Sequence, residues 1–205
     1  MTDLLASLRT AERLAEGAML LPGYARDREA ALLAEIQTIS NLAPPRRMTV
    51  PGGGEMSVAM TNCGALGWVT DRTGYRYSPT DPLAGEPWPA MPPILAALAR
   101  EAAEEAGYGG FTPDACLVNR YQTGAKMGLH QDRDEQDLTA PIVSVSLAAA
   151  CVFLWGGLRR SDPVRRFALQ GGDVMVWGGP SRLAFHGVDR LQAGPRFNLT
   201  FRKAG

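Results

Sequence analysis

Arg196-Phe197-Asn198-Leu199-Thr200-Phe201-Arg202 alternates without a break. Phe197, Leu199 and Phe201 fall on one face and Arg196, Asn198, Thr200 and Arg202 on the other, which is the period of a β-strand. Upstream of it, Cys116–Tyr121, Ile142–Leu147, Cys151–Trp155, Arg166–Leu169, Asp173–Trp177 and Ala184–Gly187 are further short β-rich runs. The pairs Gly156-Gly157, Gly171-Gly172 and Gly178-Gly179 mark turns between several of them. Strands of this length and spacing predict a sandwich, barrel or jelly roll from Asp114 onward.

The first hundred residues read differently. Residues 3–15 and 28–39 carry a helical pattern, the second with Leu32, Leu33, Ile36 and Ile39 on one stripe behind an Asp27 cap. Pro92-Pro93 opens a third helix bearing Ile94, Leu95, Leu98 and Ala102, with Gly107 as its stop. The Gly- and Pro-rich stretch 43–93 holds Trp68, Tyr75, Tyr77 and Trp88. Linkers seldom carry four large aromatics, so short strands and loops are expected there.

The chain has two histidines, His130 and His186. In Leu129-His130-Gln131-Asp132, a strand would put imidazole and carboxylate on one face, and a distant histidine can complete a set of two nitrogens and one carboxylate. That set suits non-haem Fe(II), because it leaves three coordination positions open. The plainer alternative is one core and one surface histidine. Arg196 and Arg202 also have two readings. On a terminal edge strand they would sit in water and discourage edge pairing. In a covered strand they are buried cations and need an anion. A small dicarboxylate such as 2-oxoglutarate would offer one carboxylate to each guanidinium fork. Beside an iron triad, the dicarboxylate is the better account.

At 205 residues the chain is most simply one domain, residues 1–205, with enough length for a sizeable core. Formal charge is zero, so no global basic field points to nucleic acid. Local clusters at Arg46-Arg47, Arg72 with Arg76, Arg159-Arg160 and Arg165-Arg166 are ordinarily solvated surface, although they could make one groove positive. Cys63, Cys116 and Cys151 are odd in number and widely spaced, which favours reduced thiols over disulfides or zinc. With no apolar run of membrane-spanning length and no signal peptide, the expected location is the cytoplasm, away from membranes.

Several segments together resemble the AlkB family of Fe(II)- and 2-oxoglutarate-dependent dioxygenases. They are Met56-Ser-Val-Ala-Met-Thr-Asn-Cys-Gly64, Trp88-Pro-Ala-Met-Pro92, Pro113-Asp-Ala-Cys116, Leu129-His-Gln-Asp132, Ala140-Pro-Ile-Val-Ser-Val-Ser-Leu147, Val176-Trp-Gly-Gly179 and Asn198-Leu-Thr-Phe-Arg202. The similarity runs from about Met48 to the C-terminus. It implies a mainly β fold with flanking helices: a double-stranded β-helix (jelly-roll) core from about 111 to 205. N-terminal helices and a nucleotide-recognition lid would occupy about 1–110. It implies iron ligands His130, Asp132 and His186, and 2-oxoglutarate contacts from Asn119, Tyr121, Arg196, Asn198 and Arg202. It also implies a substrate site lined by Trp68, Tyr75, Tyr77, Asp134 and Arg160. Without the family, Trp68 and Tyr75 read equally as loop anchors, and Asp134 as a surface acid in the run Asp132–Asp137.

The implied activity is oxidative demethylation of N-alkylated bases such as 1-methyladenine and 3-methylcytosine, with O2 as oxidant and succinate, CO2 and formaldehyde as products. The implied partner is alkylated DNA, single-stranded in preference to double-stranded, acted on by a monomer; RNA is the alternative polymer. Different classes remain conceivable from the residues: a non-catalytic sensor of metal or dicarboxylate, or a zinc hydrolase with the same ligands. The open iron face speaks against the sensor, and the hydrolase leaves the arginines unexplained. Two features depart from the family pattern. Gly54 stands where well-known members have a bulky residue, and the connection from His186 to Arg196 is several residues shorter.

Overall fold

The structure, a computed structural model, describes residues 9–205. Among the described residues, fourteen strands and two α-helices follow one another. The strands are β1 (Glu12–Ala15), β2 (Ala18–Leu21), β3 (Arg46–Thr49), β4 (Glu55–Gly64), β5 (Gly67–Asp71), β6 (Gly74–Ser78) and β7 (Ala115–Tyr121). They continue as β8 (Met127–His130), β9 (Ile142–Ala148), β10 (Cys151–Trp155), β11 (Arg165–Leu169), β12 (Val174–Trp177), β13 (His186–Val188) and β14 (Arg196–Arg202). The helices are α1 (Glu29–Leu42) and α2 (Pro93–Glu105).

Two antiparallel sheets form the core, an eight-stranded one in the order β1-β2-β12-β9-β14-β7-β4-β3 and a four-stranded one in the order β11-β10-β13-β8. Hairpin β5–β6 is a separate two-stranded sheet. This is the expected mainly β jelly-roll with helices on one side. The expected halves are less separate than the sequence pattern suggests, because β1 to β4 contribute half of the large sheet.

Alternation in β14 explains the layering. Leu199 and Phe201 join Val143, Val145 and Leu147 of β9 in a core layer with Leu32, Ile36 and Ile39 of α1 and Leu95, Leu98 and Ala102 of α2. The opposite face, with Arg196, Asn198, Thr200 and Arg202, points between the sheets, where Trp177, Phe153 and Trp155 pack. β14 is hydrogen-bonded to β7 on one side and β9 on the other. It is a central strand, so the exposed-edge reading of its arginines does not apply.

Several expected boundaries move. The helix expected over 3–15 lies partly outside the described residues, and Glu12–Ala15 is a strand. Gly17 at φ +74° turns that strand into the β1–β2 hairpin, whose Leu14, Leu20 and Leu21 find burial in the sheet. α1 starts after a 3-10 turn at Arg26–Arg28 and uses no side-chain cap, so Asp27 is not its N-cap. α2 begins at Pro93, and Gly107 adopts φ +87° where the helix stops. The described residues include no helix long and apolar enough to cross a membrane.

Candidate active site

β8 and β13 are neighbours in the small sheet, and their register places His130 opposite His186. The two rings lie 4.4 Å apart between centroids. Asp132 falls two residues beyond the end of β8, outside any strand and not on the one the sequence spacing suggests. What holds it there is Arg182, whose guanidinium donates to the Asp132 carbonyl at 2.7 Å. One ligand atom from each of His130, Asp132 and His186 lies within 4.8 Å of the others. Nε2 of His130 is 3.5 Å and Nε2 of His186 is 3.8 Å from the Asp132 carboxylate. Each Nδ1 bonds a backbone carbonyl, His130 to Gly128 at 2.9 Å and His186 to Ala184 at 3.0 Å. Those bonds make each Nδ1 a donor and turn both Nε2 atoms toward the carboxylate, the orientation that a metal-binding histidine requires.

Charge shapes this cluster. Burial works against the Asp132 carboxylate, but the Arg202 guanidinium and both histidines outweigh it and hold the group well below the usual range. Arg202 donates to Asp132 Oδ2 at 2.6 and 3.0 Å. Burial, reinforced by His130, pushes His186 down to about 4, so its imidazole is neutral near pH 7. Burial also opposes a charged His130, yet the bond to Asp132 prevails and raises it.

Behind the triad the inner chamber is lined by β7 and β14. Their register sets Asn198 opposite Asn119 and Arg196 opposite Tyr121. Asn119 donates to Asn198 at 3.2 Å, and Asn198 donates to Ser144 Oγ at 2.8 Å. Arg196 is 1% exposed and lies 4.9 Å over the Tyr121 ring. Its Nη2 donates to Ser146 Oγ at 2.8 Å, whereas Nε and Nη1 have no partner among the described residues. Asn119 Oδ1 and Trp177 Nε1 are likewise unpaired. Buried guanidinium nitrogens without a partner cost several kcal/mol and call for an anion. Arg202 faces the same chamber six residues along the strand, about 20 Å of backbone. A short dicarboxylate fits that donor set.

Outside the triad a cleft of about 490 Å³ shares His130, Arg202, Leu117 and Met127 with the chamber. Its walls include Trp68, Tyr75, Asp134 and Arg160. Trp68 stacks on Tyr75 with centroids 5.7 Å apart and planes 19° apart. The Trp68 indole N–H donates to Asp134 at 2.9 Å, so this exposed carboxylate is fixed in place. Arg160 lies over Phe185 and gives two donors to the Leu129 carbonyl at 3.0 and 3.1 Å. Tyr77 differs from the expectation: it is not among the cleft-lining residues, and its hydroxyl donates instead to the buried Glu135 at 2.7 Å. Burial is the main cause of its strongly raised pKa. Tyr77 sits opposite Trp68 in the hairpin register, and the two rings have different partners.

The chain matches the 2OG-Fe(II) oxygenase superfamily over residues 17–202. It is 56% identical over 200 residues to the alpha-ketoglutarate-dependent dioxygenase AlkB of Salmonella typhimurium, covering 94% of this chain and 93% of that protein. This chain belongs to the AlkB family. It is therefore an Fe(II)- and 2-oxoglutarate-dependent dioxygenase (2-oxoglutarate being another name for alpha-ketoglutarate), which sets aside the sensor and zinc-hydrolase readings. It is also 34% identical to a mouse protein named nucleic acid dioxygenase ALKBH1, over 63% of this chain and 33% of that one. Among solved structures, that of OsALKBH1 superposes with a TM-score of 0.80 at 28% identity, covering 95% of this chain and all of that one.

Two residues of this AlkB-family site escape sequence reasoning. Glu135 and Arg182 are buried together, with Arg182 Nη2 3.0 Å from Glu135 and Arg202 Nε 3.2 Å from it. Glu135 lies in an acidic run that reads as solvated surface, and Arg182 lies in no motif, so only the packed structure pairs them. The basic clusters resolve differently. Arg46, Arg47, Arg76, Arg159, Arg165 and Arg166 each face a carboxylate on the surface or at its edge, which leaves little free positive charge there. Gly54 does not need to be glycine. A Cβ there would meet only Val50, at an ordinary 3.6 Å, so the residue simply leaves the Val50 rim of the cleft uncovered.

Proposed function

We propose that His130, Asp132 and His186 hold the iron and that Asn119, Tyr121, Arg196, Asn198 and Arg202 hold 2-oxoglutarate. On this reading the enzyme oxidatively demethylates N-alkylated nucleobases such as 1-methyladenine and 3-methylcytosine in DNA, with single strands preferred. The observation that carries it is the aromatic cleft opening directly onto His130 and Arg202. When bound, Fe(II) and 2-oxoglutarate supply the activation of O2 and the oxidation of the N-methyl carbon, with succinate, CO2 and formaldehyde as products. The chain's own residues orient and exclude. Arg196 holds one carboxylate through its unpaired nitrogens, and Arg202, whose Nε and Nη2 already grip Asp132, has Nη1 left for the other, a division that a point charge cannot copy. Carbonyl bonds to each Nδ1 keep both Nε2 atoms aimed inward.

A base must leave its stack to enter such a cleft, which favours single strands or a flipped nucleotide. Trp68 provides a stacking face, and Asp134 beside it favours the positive charge of a methylated adenine or cytosine. The mouse relative's name, nucleic acid dioxygenase, supports a nucleic-acid substrate, and RNA is the second reading. The chain acts as one catalytic domain, a monomer in the cytoplasm. The test is formaldehyde and succinate release by the Fe(II)-loaded protein on matched methylated DNA and RNA oligonucleotides. Equimolar release on single-stranded DNA is expected. Release on RNA alone would transfer the assignment to the second reading.

A further inference from the structure

Asn62 belongs to the run Thr61-Asn62-Cys63-Gly64, yet it touches neither the triad nor either cavity. It is 1% exposed. On β4 its backbone stands opposite Leu117 of β7 in the large sheet. Among the described residues its side chain bonds one residue: Oδ1 accepts from the Trp68 N–H at 3.0 Å, and Nδ2 donates to the Trp68 carbonyl at 3.0 Å. A carboxamide offers one donor and one acceptor much as a peptide group does, so Asn62 acts as a one-residue strand partner for Trp68.

That partner matters because hairpin β5–β6 belongs to neither core sheet. Otherwise, among the described residues, the start of the hairpin pairs with the large sheet's backbone at the bridge between Leu66 and Ala115. There is no slack beside it. A Cβ on Gly67 would lie 2.4 Å from the Trp88 ring and 2.8 Å from Cβ of Asn62. With N–H and carbonyl both clamped, the Cα of Trp68 is fixed on the sheet. The indole then reaches Asp134 with one edge and stacks Tyr75 with one face.

We propose that Asn62 is a positioning residue for the nucleic-acid substrate: it pins Trp68 to the large sheet so that the indole and Asp134 present one fixed surface to the incoming base. This rests on the reading of Trp68 as the stacking face. The role is orientation through Trp68, with no contact between Asn62 and the base.

The experiment is a double-mutant cycle on binding, without turnover. Full-length protein loaded with Mn(II) and 2-oxoglutarate, free of O2, is titrated with a fluorescent oligonucleotide carrying one 1-methyladenine. Asn62→Ala and Trp68→Ala are each expected to weaken binding about ten-fold, within the range for losing a base–aromatic stack. The double variant should bind no more weakly than Trp68→Ala alone, while the Kd for 2-oxoglutarate stays within about two-fold throughout, since the co-substrate chamber is not touched. Asn62→Gln keeps the same groups but displaces them by one methylene, and it should show the same pattern if the alanine variant does not fold. Additive losses in the double variant, or a parallel loss of 2-oxoglutarate affinity, would mean general loosening and overturn the proposal. Loss in Trp68→Ala with none in either Asn62 variant overturns it while sparing the stacking reading. Unchanged binding in Trp68→Ala removes both.

Discussion

Glu135→Gln tests whether charge balance beneath the cleft holds the site together. Two guanidiniums, Arg182 and Arg202, share this interior with two carboxylates, Asp132 and Glu135, and all four side chains are at most 8% exposed. Glu135 accepts from Tyr77 at 2.7 Å and from Arg182 at 3.0 Å, and lies 3.2 Å from Arg202. Glutamine keeps the volume and one acceptor but removes the charge and turns an N–H₂ toward a cation. Breaking a buried ion pair from one side costs roughly 3–5 kcal/mol. Here the loss is smaller, because Arg202 keeps two bonds to Asp132 and Arg182 keeps the carbonyls of Asp132 and Ala140. We expect about 2–3 kcal/mol, which for a chain of this size is a fall in Tm of about 4–12 °C. Tyr77→Phe removes one hydrogen bond to the same carboxylate and leaves every charge in place, so about 1.5 kcal/mol is expected. Thermal and urea unfolding of the metal-free protein, monitored by circular dichroism, would measure both. A Glu135→Gln protein melting within 2 °C of the parent, or one less affected than Tyr77→Phe, would refute the reasoning.

Four other outcomes are expected. His130→Ala should abolish turnover and lower iron stoichiometry, and a variant with full metal content would contradict the ligand assignment. Arg202→Lys should raise the apparent KM for 2-oxoglutarate, because an ammonium cannot reproduce a fork that already binds Asp132; equal values for the two proteins would count against it. Asp134→Asn keeps an acceptor for Trp68 but removes the charge. It should therefore lower kcat/KM on 1-methyladenine and 3-methylcytosine about two- to five-fold more (roughly 0.5–1 kcal/mol, the scale for an exposed charge) than on neutral 1-methylguanine or 3-methylthymine, and equal losses would leave Asp134 a structural role only. Burial opposes the Asp81 charge, but its bonds to Arg46 prevail and lower its pKa, so its stabilisation is present above the unfolded carboxylate value and is lost as pH falls through the lower folded value. Acid titrations of the parent and Asp81→Asn should accordingly begin to converge at about pH 4 and meet only below the lower folded value.

How much of this was legible depends on how locally each feature is encoded. Strict alternation in 196–202 and the short runs upstream reveal the strands, because period-two patterning depends only on neighbours along the chain. The histidines and Asp132 stand out by residue type and spacing, and the arginines by the cost of burying a cation. What alternation cannot say is which strand is central. β14 lies between β7 and β9 through pairings made across the chain, and those pairings alone turn the polar face of 196–202 into the wall of a chamber. The same limit explains residues 12–15, where a helical pattern yields to an edge pairing with β2.

The sequence by itself determined most strands from Asp114 onward and, through its motifs, the family, and it singled out His130, Asp132 and His186 as the candidate ligand set. Tertiary structure decided which polar groups share a buried space. Nothing in the order of residues joins Tyr77 to Glu135, Arg182 to Asp132 or Asn62 to Trp68. Those bonds exist because separate elements pack closely enough to exclude water, so that each buried donor must take whatever acceptor lies within reach.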